Sequence, residues 1–324
     1  MTSDPLGGQR TLRSKGSVGA IFHCPMHSPL PVLALLFNTL VWGLAWWPFR
    51  AMHEAGLHPL WATALMYALV LTGLVALRPA SLRQALQYPA LILLGACAGS
   101  NNIAFNWAVT IGDVVRVVLL FYLMPAWSVL LAWKILGERP TPAALTRLLL
   151  AFGGVALVLV PEGTFGGGSP GLLRGLSLAD GLALFGGFTF ALTNVLLRRL
   201  QAVPAQARML AMFSGCMAMG LASAFAGSSV GLVPPMPAPQ AGWMLIAAGL
   251  AVLLMLGNWA LQFGAARLPA GVTAVVMLAE VVFASVSSVL IAGEVLTPRT
   301  LLGGACIIAA ALLSALAHAR RRGA

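Results

Sequence analysis

The chain has 324 residues, 60% of them hydrophobic and 8% charged, with a mean hydropathy of +0.92. Soluble domains carry about 25% charged residues, so the composition excludes a water-soluble globule. A formal net charge of +11 would suit nucleic acid, but on so apolar a chain the basic residues are better read as topology signals, and no nucleic-acid partner is expected.

Residues 1–30 are polar and lack the apolar centre of a cleavable signal peptide. They read as a disordered cytoplasmic tail. The periodic apolar sequence starts just after Met26, which makes Met26 an alternative start to Met1. The stretch HCPMH at 23–27 has metal-ligand residue types, but it lies in a proline-interrupted tail, and no metal or other cofactor is expected. Cys24, Cys97, Cys216 and Cys306 are scattered without a C-x-x-C pair, which argues against a disulfide framework or a metal cluster.

About 20 apolar residues cross a hydrocarbon core of about 30 Å. Candidate spans lie near 31–49, 60–77, 90–110, 114–135, 144–161, 178–197, 208–227, 242–264, 271–292 and 300–317. Between them stand the breakers: HP at 58–59, RP at 78–79, the Gly-rich PEGTFGGGSPG at 161–171 and VPPMPAP at 233–239. With ten spans and a cytoplasmic N-terminus, the basic residues divide 15 to 4 in favour of the cytoplasm, as the positive-inside rule requires. Both termini are then expected inside, including the basic tail 318–324. The expected location is a bacterial inner membrane, with the bilayer as a partner.

Sliding the chain by 156 residues brings GERPTP (137–142) onto GEVLTP (293–298), Asn102 onto Asn258, Ala104 onto Ala260 and Asn106 onto Gln262. One offset aligning two helices and a loop implies two copies of a five-helix unit, 31–161 and 178–317, joined by a Gly-rich external linker at 162–177. Five is odd, so the second copy enters the membrane from the opposite side. The expected fold class is an all-α membrane protein of ten transmembrane helices in two inverted-topology repeats. In secondary transporters built this way the substrate site lies near the midplane between the repeats.

The hexapeptide has a local reading. Gly137 and Gly293 end a helix, and Thr-Pro starts the next with Thr as N-cap and Pro at N1. Glu138 and Glu294 are expected to serve that same helix start, near its positive end; direct transport chemistry is the other reading.

The segments YLMPAWSVLLAWKILGERPTP (122–142) and MLAEVVFASVSSVLIAGEVLTP (277–298) resemble the paired signatures of EamA-type carriers in the drug/metabolite transporter superfamily. The resemblance covers about 31–317. It implies ten helices in two inverted repeats, with helices 1, 3, 4, 6, 8 and 9 around a cavity. One position departs from it. The second copy often has Pro after the acidic residue, whereas Val281 follows Glu280 here. A kink is therefore expected at Pro125 and left open at Val281.

Amides four apart, Asn102 with Asn106 and Asn258 with Gln262, share a helix face. They form either a polar cavity wall or inter-helix glue. Asn38, Trp42 and Trp46 follow one another at the same spacing, and Tyr122, Trp127, Asn194 and Trp259 are further cavity candidates, with Thr193 beside Asn194. Trp47, Trp61 and Trp243, near span ends, are expected at the membrane interface. Gly153, Gly154, Gly303 and Gly304 are expected to allow close helix packing. Glu280 is the one acid placed mid-membrane. It is read as a proton-coupling group, a partner for a substrate amine, or a neutral carboxyl that fixes packing.

No G-x-x-x-x-G-K-[ST] or H-E-x-x-H motif occurs, so neither ATP-driven pumping nor a membrane-embedded enzyme is expected. The expected function is a secondary transporter exporting a small-molecule substrate such as an amino acid, with a purine, a drug-like cation or a sugar-linked metabolite as alternative cargo.

Overall fold

The computed structural model describes residues 29–77, 85–137, 139–159, 176–268 and 270–322. The HCPMH stretch, both candidate starts, Glu138 and all but the last two residues of the Gly-rich linker lie outside them. Among the described residues all regular structure is helical. A lipid-spanning chain must bond its backbone internally, and helices do this within one segment.

Among the described residues ten helical rods follow one another. The first is α1 (Leu30–Leu44) continued by α2 (Trp46–Glu54). Then come α3 (Pro59–Leu77), α4 (Ala90–Ile111), the broken pair α5 (Val114–Phe121) and α6 (Met124–Leu136), and α7 (Pro142–Leu159). The second half holds α8 (Leu178–Arg199), α9 (Ala205–Ser229) and α10 (Ala241–Ala265). It ends with the broken pair α11 (Ala270–Met277) and α12 (Ala279–Ser287), closed by a wide turn at Ser288–Ala292, and with α13 (Pro298–Arg322). Eight rods are long and apolar enough to cross a membrane; Pro298–Ser314 forms a shorter apolar helix. The rod at α4 has the length, with 22 residues, but carries Ser100, Asn101, Asn102 and Asn106 in its middle.

The repeat is visible in the backbone. Val114 and Ala270, Gly137 and Gly293, and Pro142 and Pro298 each stand 156 residues apart, and each pair holds the same place. The first two open eight-residue half-helices. The glycines close the next segments at φ +71° and +68°. The prolines open the rods that follow. Thr141 and Thr297 accept from the N–H groups of Ala144 and Thr300, as the N-cap reading requires. The packing repeats too: α8 lies against α4, α5 and α6, while α1 lies against α10, α11 and α12. The rods α7 and α13 pair across the symmetry, as do α3 and α9.

Both halves break their fourth rod at matching points, after Phe121 and after Met277. Pro125 accompanies the first break. The second forms without a proline, so the question left open at Val281 resolves in favour of a break. It lies at Leu278, three residues earlier.

Two tryptophan expectations are corrected. Trp61 and Trp243 are each only 4% exposed and belong to the apolar core with Phe49, Met52 and Val233; the Trp61 ring N–H donates to the Pro234 carbonyl. The loop 230–240 folds over the helix end and buries what would otherwise be an interfacial ring. Trp47, 54% exposed, stays outside. Of the glycine pairs, Gly154 and Gly303 meet directly: a Cβ on either would come within 2.6 Å of the other's carbonyl oxygen. Gly304 abuts Leu119, whereas Gly153 faces open space and has no packing role here.

Candidate functional site: a central cavity and a sealed face

A cavity of about 550 Å³ lies between the two sets of packed rods. Its wall takes Asn38 and Trp42 from α1, Tyr67 from α3, Asn101, Asn102 and Phe105 from α4, and Thr193 and Asn194 from α8. Met212, Phe213 and Cys216 come from α9, and Leu254, Asn258 and Leu261 from α10. Both helix breaks reach it, through Phe121, Tyr122 and Pro125 on one side and Met277, Leu278 and Glu280 on the other. In most rods these residues run from the middle toward the end that bears the 200–204 turn. Leu261, for instance, is four residues from the end of α10, about 6 Å along its axis.

Glu280 is the only Asp, Glu, Lys, Arg or His among the lining residues. It stands in the first turn of α12, where the helix dipole favours a negative charge. The Tyr122 hydroxyl lies 3.2 Å from its Oε2 and 3.2 Å from the Met277 carbonyl oxygen. A phenol from the break in one repeat therefore faces two acceptors at the break in the other. A discontinuous pair of helices can place polar groups in mid-membrane because the freed backbone faces a cavity rather than lipid.

The amide pairs separate. Asn102 accepts from the Tyr67 hydroxyl at 2.6 Å and donates to the Ala98 carbonyl at 2.9 Å. Its helical neighbour Asn106 is buried away from the cavity, bonded to Thr63 at 3.0 Å. Asn258 lines the cavity and accepts from Gln262, which is exposed and not part of the wall. Trp259 is 46% exposed and also not part of the wall. It is adjacent to Asn258, and one residue turns a helix by about 100°, which carries its ring outward. Trp46 is buried and donates to Ser287 at 3.0 Å; Trp127 packs against Phe152 and Phe188. The cavity thus brings together Asn38, Trp42, Asn102, Tyr122, Thr193, Asn194, Asn258 and Glu280. It leaves out Trp46, Asn106, Trp127, Trp259 and Gln262. Sequence reading missed Asn101 and the phenylalanines at 105, 121, 190 and 213. The adjacent Asn101-Asn102 pair was a usable signal, but nothing distinguishes a cavity Phe from a lipid-facing one before packing is known.

At the opposite face the polar groups pair. Arg50, in the middle of α2, meets Glu294 at 3.1 Å and donates to the carbonyls of Val109 and Gly112. The Glu294 carboxylate accepts from the N–H groups of Val114 at 3.0 and 3.1 Å and of Val115 at 3.4 Å. Glu294 therefore caps α5 in the other repeat. This corrects the expectation that it would serve the helix following it, where Thr297 already occupies the cap. Beside it, Arg116 grips Asp180 through two bonds of 2.7 and 2.9 Å, and Asp180 completes a capping box with Ser177. Burial pushes the Asp113 carboxyl above its usual range, and the nearby Glu294 charge adds to this.

The model of the EamA-like transporter family matches this chain twice, over residues 29–160 and 177–316. A crystal structure of a protein is similar to it, with a TM-score of 0.55 over 91% of this chain and 99% of that one at 19% identity; this likeness shows the fold alone. No curated protein matches the chain. Two family matches, one for each packed half, establish that this multi-pass membrane protein belongs to the EamA-like transporter family and is a transporter rather than an enzyme.

Proposed function

We propose that the chain is a secondary transporter that exports a small metabolite such as an amino acid across a bacterial inner membrane, with both termini in the cytoplasm. The observation that carries this is a cavity of about 550 Å³ spanning both helix breaks, with Glu280 its single acidic side chain and no basic one. On this orientation the 200–204 turn is cytoplasmic, the cavity takes cargo from inside, and the Arg50–Glu294 and Arg116–Asp180 pairs close the outside. Alternating access exchanges the two packings of the inverted repeats, which are nearly equivalent by symmetry.

Glu280 pairs with the substrate amine or exchanges a proton as the cavity changes sides. The other titratable groups lining the cavity are the hydroxyls of Tyr122 and Tyr67 and the Cys216 thiol. The test is uptake of labelled amino acids and amines into proteoliposomes with and without a pH gradient. Accumulation driven by the gradient is expected. Equal uptake in empty and protein-containing vesicles for every cargo contradicts the proposal.

A further inference from the structure

Taking the cavity as the substrate site, as proposed above, the geometry points to its preferred cargo being a monocationic aryl amine rather than the corresponding amino acid. Three observations converge on this. The first is charge: Glu280 is the one acidic residue on a wall that has no basic residue. Arg147 borders a separate small space lined also by Tyr122 and Pro125 and is not part of the cavity wall. An ammonium finds a counter-charge in the cavity, and a carboxylate finds none.

The second is the balance of hydrogen-bonding groups. The side-chain oxygen of Asn101 is buried at the cavity wall without a donor; that of Asn38 also lacks one but lies against Gly257 of α10. Buried acceptors left unpaired cost free energy, and a donor-rich ligand removes that cost. The amide donors are partly spent: the Asn102 amide N–H is held by Ala98 and the Asn38 amide N–H turns to the Met277 sulfur. An ammonium has three N–H donors and no acceptor, which matches this wall.

The third is the helix starts, the usual receptors for an anion. At the start of α6, Pro125 has no N–H, and those of Ala126 and Trp127 turn back to the Leu123 carbonyl. At the start of α12, Glu280 itself sets a carboxylate in the first turn. Neither offers an open anion site. The aromatic body is accommodated by Trp42, Phe105, Phe121, Phe190 and Phe213, whose ring faces also attract cations.

The experiment uses purified full-length protein and three ligands of one shape: phenethylamine, L-phenylalanine and 3-phenylpropionate. Binding is read by quenching of intrinsic tryptophan fluorescence. Phenethylamine should bind at least about tenfold more tightly than phenylalanine, a difference of about 1.4 kcal/mol, and 3-phenylpropionate should be weakest. Glu280→Gln should abolish the order while Glu280→Asp, which keeps the charge, preserves it. Vesicle flux of the same ligands separates this inference from the transport reading. Flux of phenylalanine with exclusion of phenethylamine overturns the amine preference and leaves transport standing. Tight amine binding without flux of any ligand supports the preference and contradicts transport. Phenylalanine binding as tightly as phenethylamine, or an order unchanged in Glu280→Gln, overturns the inference.

Discussion

The sealed face and the cavity use the same residue chemistry to opposite ends. At the sealed face two carboxylates, Glu294 and Asp180, each have an arginine and backbone N–H donors around them. In the cavity one carboxylate has only a phenol, and the Asn101 amide oxygen on the wall has no donor. Saturated polar groups hold elements together; unsaturated ones in a cavity are available to a ligand. The difference separates residues that look alike in the sequence, since Glu280 and Glu294 both lie in the same signature segment.

The largest effect should come from breaking the saturated side. Glu294→Ala leaves Arg50 largely buried, at 21% side-chain exposure, with two helix-start N–H groups uncapped. Removing one partner of a buried pair costs about 3–5 kcal/mol. The thermal midpoint of the detergent-solubilised protein should fall sharply, and Glu294→Gln, which still accepts from the N–H groups, should recover part of the loss. Equal midpoints for Ala and wild type would remove Glu294 from the seal.

Glu280→Gln should do the reverse, leaving the midpoint near wild type while pH-driven flux falls more than tenfold. A mutant that still transports against a gradient with wild-type pH dependence shows that Glu280 does not couple transport. Asn102→Leu removes the partner of Tyr67, and flux should fall by about tenfold, about 1.4 kcal/mol at the transition state. Trp259→Phe, on the outward side of α10, should leave flux unchanged. A loss there as large as at Asn102 would mean that the cavity wall is drawn wrongly.

How far these roles were legible in advance depends on the range of the interaction. The 156-residue offset, the Gly turns, the Thr-Pro helix starts and the mid-span Glu280 are local or periodic, and the sequence carries them. The partner of Glu294 is 180 residues away at Val114, and nothing in local spacing names it. Arg50 and Arg116 counted only as two of the four basic residues on the minority side, although each is the cation of an ion pair. The second break needed no proline, so it was invisible to a rule built on Pro125. Within one helix, period alone could not separate Asn102, on the cavity, from Asn106, turned to Thr63 on α3.

A smaller effect belongs to His58, which precedes α3 on the sealed face, accepts from the Leu60 N–H and packs edge-on to Trp107. Burial, and secondarily His53, lowers its pKa from 6.5 to about 4. The folded protein keeps this imidazole neutral, while the unfolded chain takes up a proton below about pH 6.5. Its contribution is complete above pH 6.5 and is lost as the pH falls toward 4. Melting curves across that window should be flatter for His58→Gln than for wild type; the same slope in both would exclude His58 as the source.

In the transport cycle proposed above, the sealed face and the cavity mouth exchange states. Spin labels report it most directly when one pair spans the seal, at Leu176 and Val295, and another spans the mouth, at Gln201 and Ala266. In proteoliposomes with a pH gradient and saturating phenethylamine, the 176–295 distance should gain a longer population while the 201–266 distance gains a shorter one. Two distances that stay fixed, or that lengthen together, would contradict it.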